Sequence, residues 1–247
     1  MISIVIPTYN ATAHILVTLQ KLEILILRYP KIKEVIFVND YSTDDTLSVI
    51  IAFKNKFNDK IRVLNLKKNF GQHPATLIGI LHTKTDYCLT MDDDVLFENL
   101  EIEHYISLIE LNSNCLIYLV RDEDIEKKMR FKIITTIFRW ISKRDKISPI
   151  GSSQRFFSSA YFKAKLPTTL RYIFLDVLFL LMEYQSTYRI NDYTKHLSNH
   201  YRYSFVKRVL LVLNSLVYYT SFSSILNKSQ NSNQIFELET QIEEIYN

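Results

Sequence analysis

The chain has 247 residues, with 30 lysines and arginines against 26 aspartates and glutamates and a net charge of +4, a balance too even to argue for a nucleic-acid partner. Its 47% hydrophobic content suits one large packed domain with at most an appendage, and only three glycines argue against any fold built on a glycine-rich phosphate loop. Cys88 and Cys115 lie in apolar runs and read as buried, reduced thiols rather than as a disulfide framework.

Residues 2–6 predict a first strand directly after Met1, so the expectation is a cytosolic chain without a leader peptide. Ile15, Leu16, Leu19, Leu22 and Ile26 then recur at helical spacing over residues 11–29. A second strand is expected at 34–38, and a helix at 44–57 with Leu47, Ile50 and Ile51 on one face. Ser42-Thr43-Asp44-Asp45 reads as the capping box of that helix, with Ser42 as the cap. Further strands are predicted at 61–66, 87–91 and 116–120, with a helix at 98–112 carrying Ile102, Ile106 and Ile109. Strand–helix alternation of this kind predicts βαβ units, right-handed crossovers and a mostly parallel α/β sheet flanked by helices.

The second half is less regular. Residues 127–144 combine seven lysines and arginines with an aromatic and aliphatic face, which suits an amphipathic interfacial helix on an anionic membrane. Residues 209–226 carry no formal charge, but Asn214, Ser215, Thr220, Ser221, Ser223 and Ser224 make them too polar to favour a transmembrane span. The tail from Lys228 is polar.

Polar residues gather at one place in this architecture, the carboxyl ends of the predicted strands, where open α/β sheets bind ligands. Thr8-Tyr9-Asn10, Asn39-Asp40-Tyr41-Ser42, Lys68-Asn69-Phe70-Gly71-Gln72, Asp92-Asp93-Asp94 and Arg121-Asp122 follow the five strands in turn. Three adjacent carboxylates repel one another, and a hard cation such as Mg²⁺ or Mn²⁺ best explains them. Strand alternation would put Asp92 and Asp94 on one side and Asp93 on the other. An Asp-x-Asp pair beside such a metal fits the handling of a diphosphate. His196 and His200 have i, i+4 spacing but no further ligands nearby in sequence, so they read as ordinary solvated or core histidines. His73 either touches phosphate or opens a helix.

The strings Ser3-Ile4-Val5-Ile6-Pro7-Thr8-Tyr9-Asn10, Val38-Asn39-Asp40-Tyr41-Ser42-Thr43-Asp44, Asn69-Phe70-Gly71-Gln72-His73-Pro74-Ala75 and Met91-Asp92-Asp93-Asp94 resemble, in order and spacing, the GT-A glycosyltransferases of family 2. The Asn-Phe-Gly-Gln segment looks most like the branch that loads sugars onto dolichyl or undecaprenyl phosphate. Ser153-Gln154-Arg155-Phe156-Phe157-Ser158 resembles that branch's Gly-x-x-Arg-Leu-Phe segment. The resemblance implies a nucleotide-sugar-binding half over residues 1–125, an acceptor half over 126–208 and a C-terminal helix and tail over 209–247. It implies that Pro7 and Tyr9 frame the nucleobase, that Thr8 and Asn10 bind substrate beside them, and that Asp40 accepts hydrogen bonds from base or ribose. Asn69, Gly71, Gln72, Asp92 and Asp93 join the substrate contacts, and Asp94 ligates the Mg²⁺ or Mn²⁺. Arg155 would clamp phosphate, and Asp176 matches an acidic position near the acceptor. A helix residue paired with a base such as Arg171 is the structural alternative for Asp176. Asn39 stands where the family has Asp, Tyr41 where it commonly has Gly, and Leu96 where this branch often has Gln.

The implied reaction is a single inverting displacement from a nucleotide-diphosphate sugar onto a polyprenyl phosphate or lipid-linked glycan. It would serve surface-glycan synthesis at the inner face of the cell membrane. The other reading is a catalytically silent glycosyltransferase-like binding protein at the membrane.

Overall fold

A computed structural model describes residues 1–57, 59–97, 99–120, 152–167, 170, 173–190, 193–194 and 242–244. The readings made above on residues 121–122, 127–144 and 209–226, and on Arg171, His196 and His200, lie outside the described residues. In chain order the elements are β1 (Ile2–Thr8), α1 (Ile15–Arg28), β2 (Ile32–Asn39), α2 (Thr46–Lys56), β3 (Ile61–Leu66), α3 (Gln72–Leu81), β4 (Tyr87–Thr90) and β5 (Leu96–Phe97). They continue with α4 (Ile102–Leu111), β6 (Cys115–Val120), β7 (Arg155–Ser158), α5 (Ser159–Lys165), α6 (Leu175–Leu181), β8 (Gln185–Ile190), β9 (Tyr193–Thr194) and β10 (Ile242–Glu244).

The main sheet has eight described strands in the order β10-β3-β2-β1-β4-β7-β6-β8, and β5 pairs with β9 beside it. Strands β3, β2, β1 and β4 run parallel, as expected. The fifth predicted strand, β6, does not lie beside β4. Strand β7, from the second half of the chain, sits between them and is antiparallel to both. Its four residues are too few to show a period, yet Phe156 and Phe157 point to opposite faces and enter different apolar clusters. Burial on both faces fixes β7 in the centre of the sheet.

Helices α1, α2 and α4 cover one face, packing Leu19, Leu22, Ile26, Ile50 and Ile106 against Ile4, Phe37, Val63 and Ile117. Helices α3, α5 and α6 cover the other, packing Ala75, Ile78, Phe162, Leu178 and Phe179 against Val5, Val38, Leu64, Leu116 and Phe157. Covered faces on both sides explain why β1 and β2 read as near-continuous apolar runs. Helix α3, which sequence periodicity does not single out, lies unusually close to the sheet. A Cβ on Gly79 would come 2.3 Å from Val5 Cγ1 and 3.1 Å from Val38 Cγ2.

The amino ends of the strands are closed by a satisfied polar network. Glu34 accepts hydrogen bonds from Ser3 Oγ (2.5 Å), the Lys84 backbone N–H (2.6 Å) and Arg62 Nη1 (3.1 Å). No helix among the described residues is long and apolar enough to cross a membrane. Cys88 and Cys115 are both free thiols. Burial pushes the Cys88 thiol far up, whereas Cys115 is only half-buried rather than buried as expected.

Candidate functional site

The loops after β1 and β2 are stitched to each other. Asp40 N–H donates to the Thr8 carbonyl at 2.8 Å, and Asn10 N–H donates to Ser42 Oγ at 3.0 Å. Asn10 adopts a positive φ of 48°, which asparagine tolerates better than most residues, and its side-chain oxygen accepts the Thr43 N–H at 2.8 Å. The expected capping box is therefore rewired. Ser42 serves Asn10, α2 begins only at Thr46, and Asp44 accepts the N–H groups of Thr46 (3.0 Å) and Thr12 (3.2 Å). Burial works to raise the Asp44 carboxyl, but the hydrogen bonds from Thr46 and Thr12 outweigh it and hold the group below its ordinary range. Pro7 is tolerated in this interior strand because the β1–β4 ladder ends at Val5, before the lost N–H would be needed. Tyr9 is half-buried and Tyr41 exposed at the rim of these loops.

Asp40 turns inward rather than toward open space. Its Oδ1 accepts Phe70 N–H at 2.7 Å and its Oδ2 accepts Gly71 N–H at 2.8 Å, while Asn69 Nδ2 reaches the Asp40 carbonyl at 3.1 Å. Gly71 has a φ of 92°, a backbone conformation that side chains disfavour. The predicted base or ribose contact is thus first of all the anchor that shapes the 69–71 loop. Burial raises the Asp40 carboxyl to about 6, against the lowering pull of those two N–H groups. Asn39, in place of the family's aspartate, donates from Nδ2 to Asn65 Oδ1 at 2.7 Å and accepts Ser42 N–H at 3.3 Å.

The aspartate triplet does not continue a strand. β4 stops at Thr90, and the segment turns, with Val95 N–H reaching the Asp92 carbonyl at 3.4 Å. The side chains of Asp92 and Asp93 diverge because of that turn, not because of strand alternation. Asp93 is buried toward α1, where its Oδ1 lies 3.3 Å from His14 Nε2 and its carbonyl accepts Thr18 Oγ1 at 2.6 Å. Asp92 faces the α3 side. Gln72 Nε2 donates to its Oδ1, and Ser153 Oγ and Gln154 Nε2 (3.3 Å) donate to its Oδ2. Gln154 is itself fixed by Ser152, whose hydroxyl lies 2.6 Å from Gln154 Oε1 and 3.0 Å from the Leu119 carbonyl. Asp94 is buried, at 8% exposure.

Arg155 and Asp176 meet. Register places Arg155 of β7 between Thr90 of β4 and Tyr118 of β6. Its guanidinium donates from Nε and Nη2 to Asp176 Oδ1 (3.1 and 3.0 Å), and from Nη2 to Oδ2 (3.1 Å). Tyr118 OH donates to the same Oδ1 at 2.8 Å, and Arg155 Nη1 donates to the Ser153 carbonyl at 3.2 Å. The fork assigned above to phosphate is therefore filled by a carboxylate, and among the described residues the basic partner of Asp176 is Arg155. Burial favours losing the Arg155 proton, but the Asp176 charge holds it firmly in place. Burial, then Asp176, also keeps the Tyr118 hydroxyl protonated and so a donor. The rings of His73 and Phe174, 4.3 Å apart, bring the starts of α3 and α6 together around this cluster.

Ser153, Gln154 and Tyr118 carry contacts that the sequence reading did not assign. Tyr118 could have been found from the period of β6, which puts it with Leu116 and Val120 on the face shared by α3 and α6. Asp92 and Asp94 supply hard oxygen donors, and no group of three or more His, Cys, Asp or Glu side chains gathers for a metal among the described residues. One or two carboxylates with the remaining positions left to water and phosphate oxygens is the donor set that Mg²⁺ or Mn²⁺ suits.

The family model of glycosyl transferase family 2 matches residues 3–166. The undecaprenyl-phosphate 4-deoxy-4-formamido-L-arabinose transferase of Pseudomonas aeruginosa is 30% identical over 95 residues, covering 38% of this chain and 28% of that protein. The protein of the same name from Yersinia enterocolitica is 28% identical over 109 residues, 44% of this chain and 33% of the other. The matches thus span a third or less of these relatives' length. A mannosyltransferase from Pyrobaculum calidifontis, solved with GDP-Man and Mn²⁺, superimposes with a TM-score of 0.59 at 15% identity over 96% of this chain and 68% of its own. The S. aureus TarS fragment 1–349, solved with UDP-GlcNAc, gives 0.51 at 17% identity over 94% of this chain and 77% of its own. These likenesses show the GT-A fold. With two-thirds of its length matched by the family model, the chain belongs to glycosyl transferase family 2.

Proposed function

We propose that this chain moves a sugar, with inversion, from a nucleotide-diphosphate sugar to polyprenyl phosphate at a membrane surface. The observation that carries this reading is the state of Asp176. Its carboxylate takes four hydrogen bonds from Arg155 and Tyr118, an arrangement fit to orient groups rather than to take a proton from a hydroxyl. An acceptor phosphate is already ionised and needs no strong general base. The named activity of the two bacterial relatives supports the same acceptor.

In this reading Pro7, Thr8, Tyr9 and Asn10 frame the nucleoside, and Asp40 holds the Asn69–Gly71 loop against it. Asp92, fixed by Gln72, Ser153 and Gln154, contacts the ribose or the sugar. Mg²⁺ or Mn²⁺, held by Asp94 with Asp92 beside it, would neutralise charge on the departing diphosphate. An acceptor oxygen attacks the anomeric carbon as the bond to the diphosphate oxygen breaks, and the electron pair leaves with the diphosphate. Arg155 contributes a buried positive charge beside Asp92, its orientation fixed by Asp176.

A panel of nucleotide sugars set against polyprenyl phosphate and lipid-linked saccharides, with Mg²⁺ or Mn²⁺ and product mass as readout, tests this. The expected product is a sugar–phospholipid, lost in Asp94→Ala. Transfer only to sugar hydroxyls would overturn the acceptor assignment. Activity untouched by Asp94→Ala would overturn the metal assignment. Donor binding without turnover on any acceptor would favour the silent binding protein.

A further inference from the structure

Two separate hydrogen-bonded clusters surround the site, and one residue belongs to both. The first holds Asp92 through Gln72, Ser153 and Gln154. The second holds Asp176 through Arg155 and Tyr118. Ser153 joins them: its hydroxyl donates to Asp92 Oδ2, while its carbonyl accepts Arg155 Nη1 at 3.2 Å and Thr90 Oγ1 at 2.6 Å. The Thr90 bond clamps the Ser153 backbone to the last residue of β4, and Thr90 is register partner to Arg155. Arg155, Gln154 and Thr90 are all buried, so Ser153 is anchored on rigid elements rather than on a free loop.

We infer that Ser153 is a positioning residue that sets the spacing between Asp92 and the Arg155–Asp176 pair, and with it the alignment of donor sugar and acceptor oxygen. The inference rests on the function proposed above. A neutral hydroxyl suits the role. It fixes a carboxylate without adding charge between Asp92 and Arg155, and it spans them within a single residue. Losing the hydroxyl leaves Asp92 Oδ1 with Gln72 and leaves Oδ2 with the longer 3.3 Å bond from Gln154, so the carboxylate is held less tightly on its Oδ2 side. The carbonyl contact to Arg155 would persist, so the two clusters lose their tie without either being dismantled.

Ser153→Ala and Ser153→Thr in the full chain test this. Three quantities are compared with the wild type: donor affinity by calorimetry, the rate of sugar transfer, and the ratio of transfer to donor hydrolysis. For Ser153→Ala, transfer should fall about 10- to 100-fold, the range expected when reacting groups shift by up to an ångström. Donor affinity should fall by a smaller factor than transfer, since the lost bond is made to Asp92 and not to the donor, and Asp92 keeps Gln72 and Gln154. The transfer-to-hydrolysis ratio should drop, because the bound sugar is still activated but faces a misplaced acceptor. Ser153→Thr, which keeps the hydroxyl, should restore both transfer and ratio. Unchanged transfer in Ser153→Ala, equal losses of donor binding and transfer, or an unchanged ratio would each overturn the inference. So would a folded Ser153→Thr that behaves like Ser153→Ala. A wild type that transfers to no acceptor would instead overturn the underlying function, so the two failures are told apart.

Discussion

Arg155 grips Asp176 through three hydrogen bonds of 3.0–3.1 Å, one from Nε and two from Nη2, and Tyr118 completes the cluster from the neighbouring strand. Two residues expected to have separate duties are one ion pair. Arg155 is 3% exposed, so its charge would be costly without that carboxylate.

Removing the charge at Asp176 should therefore cost stability as well as activity. Asp176→Asn is expected to lower the unfolding free energy by about 2–3 kcal/mol, near the low end of what breaking a buried pair costs. The low end applies because a quarter of the Asp176 side chain remains in solvent. Arg155→Lys should be nearly as damaging, because an ammonium cannot reproduce the fork. Urea titration measures both. A loss below about 1 kcal/mol, the usual worth of an exposed pair, would mean that solvent already screens the interaction.

Donor affinity should depend on pH through Asp40. Its carboxyl stands at about 6 in the fold against 3.8 in an unperturbed chain, because it is buried. As pH falls through about 6 it gains a proton and can no longer accept both Phe70 and Gly71 N–H groups with full strength. The 69–71 loop then loosens and nucleotide-sugar affinity falls. The sign for global stability is opposite. The native state holds the proton more tightly than the unfolded chain, so between 3.8 and about 6 this group makes stability decrease as pH rises. Calorimetric donor titrations from pH 5 to 8 should show a step near 6 that Asp40→Asn removes. A flat profile in the wild type would separate the clasp from donor binding.

Helix α3 brings Gln72 to Asp92, and Gly79 fixes how closely that helix approaches the sheet. Gly79→Ala places a methyl carbon at a position 2.3 Å from Val5 Cγ1, deep enough that the helix must shift. Overpacking of this kind costs about 1–3 kcal/mol, less the alanine's better helix propensity of about 1 kcal/mol. Thermal unfolding should show a net loss, and donor affinity should weaken with it as Gln72 moves off Asp92. A stabilised Gly79→Ala would mean that the helix can retreat without cost.

Tyr41 holds a φ of 61° at an exposed site. A left-handed backbone costs a residue with a Cβ about 1–2 kcal/mol, which glycine avoids at a smaller entropic cost of about 0.5–1 kcal/mol. Tyr41→Gly, the residue common in the family, should then raise stability by up to about 1 kcal/mol. If denaturation instead shows a loss, the Tyr41 ring makes contacts that outweigh the backbone strain.

Much of the first half was legible because its signals are local. Apolar strand runs and 3.6-residue spacing put β1, α1, β2, α2, β3, β4, α4 and β6 within a few residues of their predicted bounds. Helix α3 escaped because Ala75, Thr76, Leu77, Ile78, Gly79 and Ile80 are all buried, leaving no polar stripe to mark a period. Strands β7 and β8 escaped for a related reason. Short, non-local pairings are chosen by which edge needs covering, and the chain around them carries no period that reveals the partner.

The sequence by itself determined that hydrogen-bonding residues would collect at the carboxyl ends of parallel strands, since βαβ connectivity puts every strand's loop there. It also determined which family those residues belong to, because their order and spacing are properties of the chain. Only the tertiary structure decided what each carboxylate does. Asp40 anchors a loop, Asp93 turns to His14, Asp92 is held by Gln72, Ser153 and Gln154, and Asp176 is bound to Arg155. Those outcomes depend on donors drawn from distant segments and on how deeply each group is buried. Desolvation and hydrogen-bond geometry act through space, and neither is written in the spacing of residues along the chain.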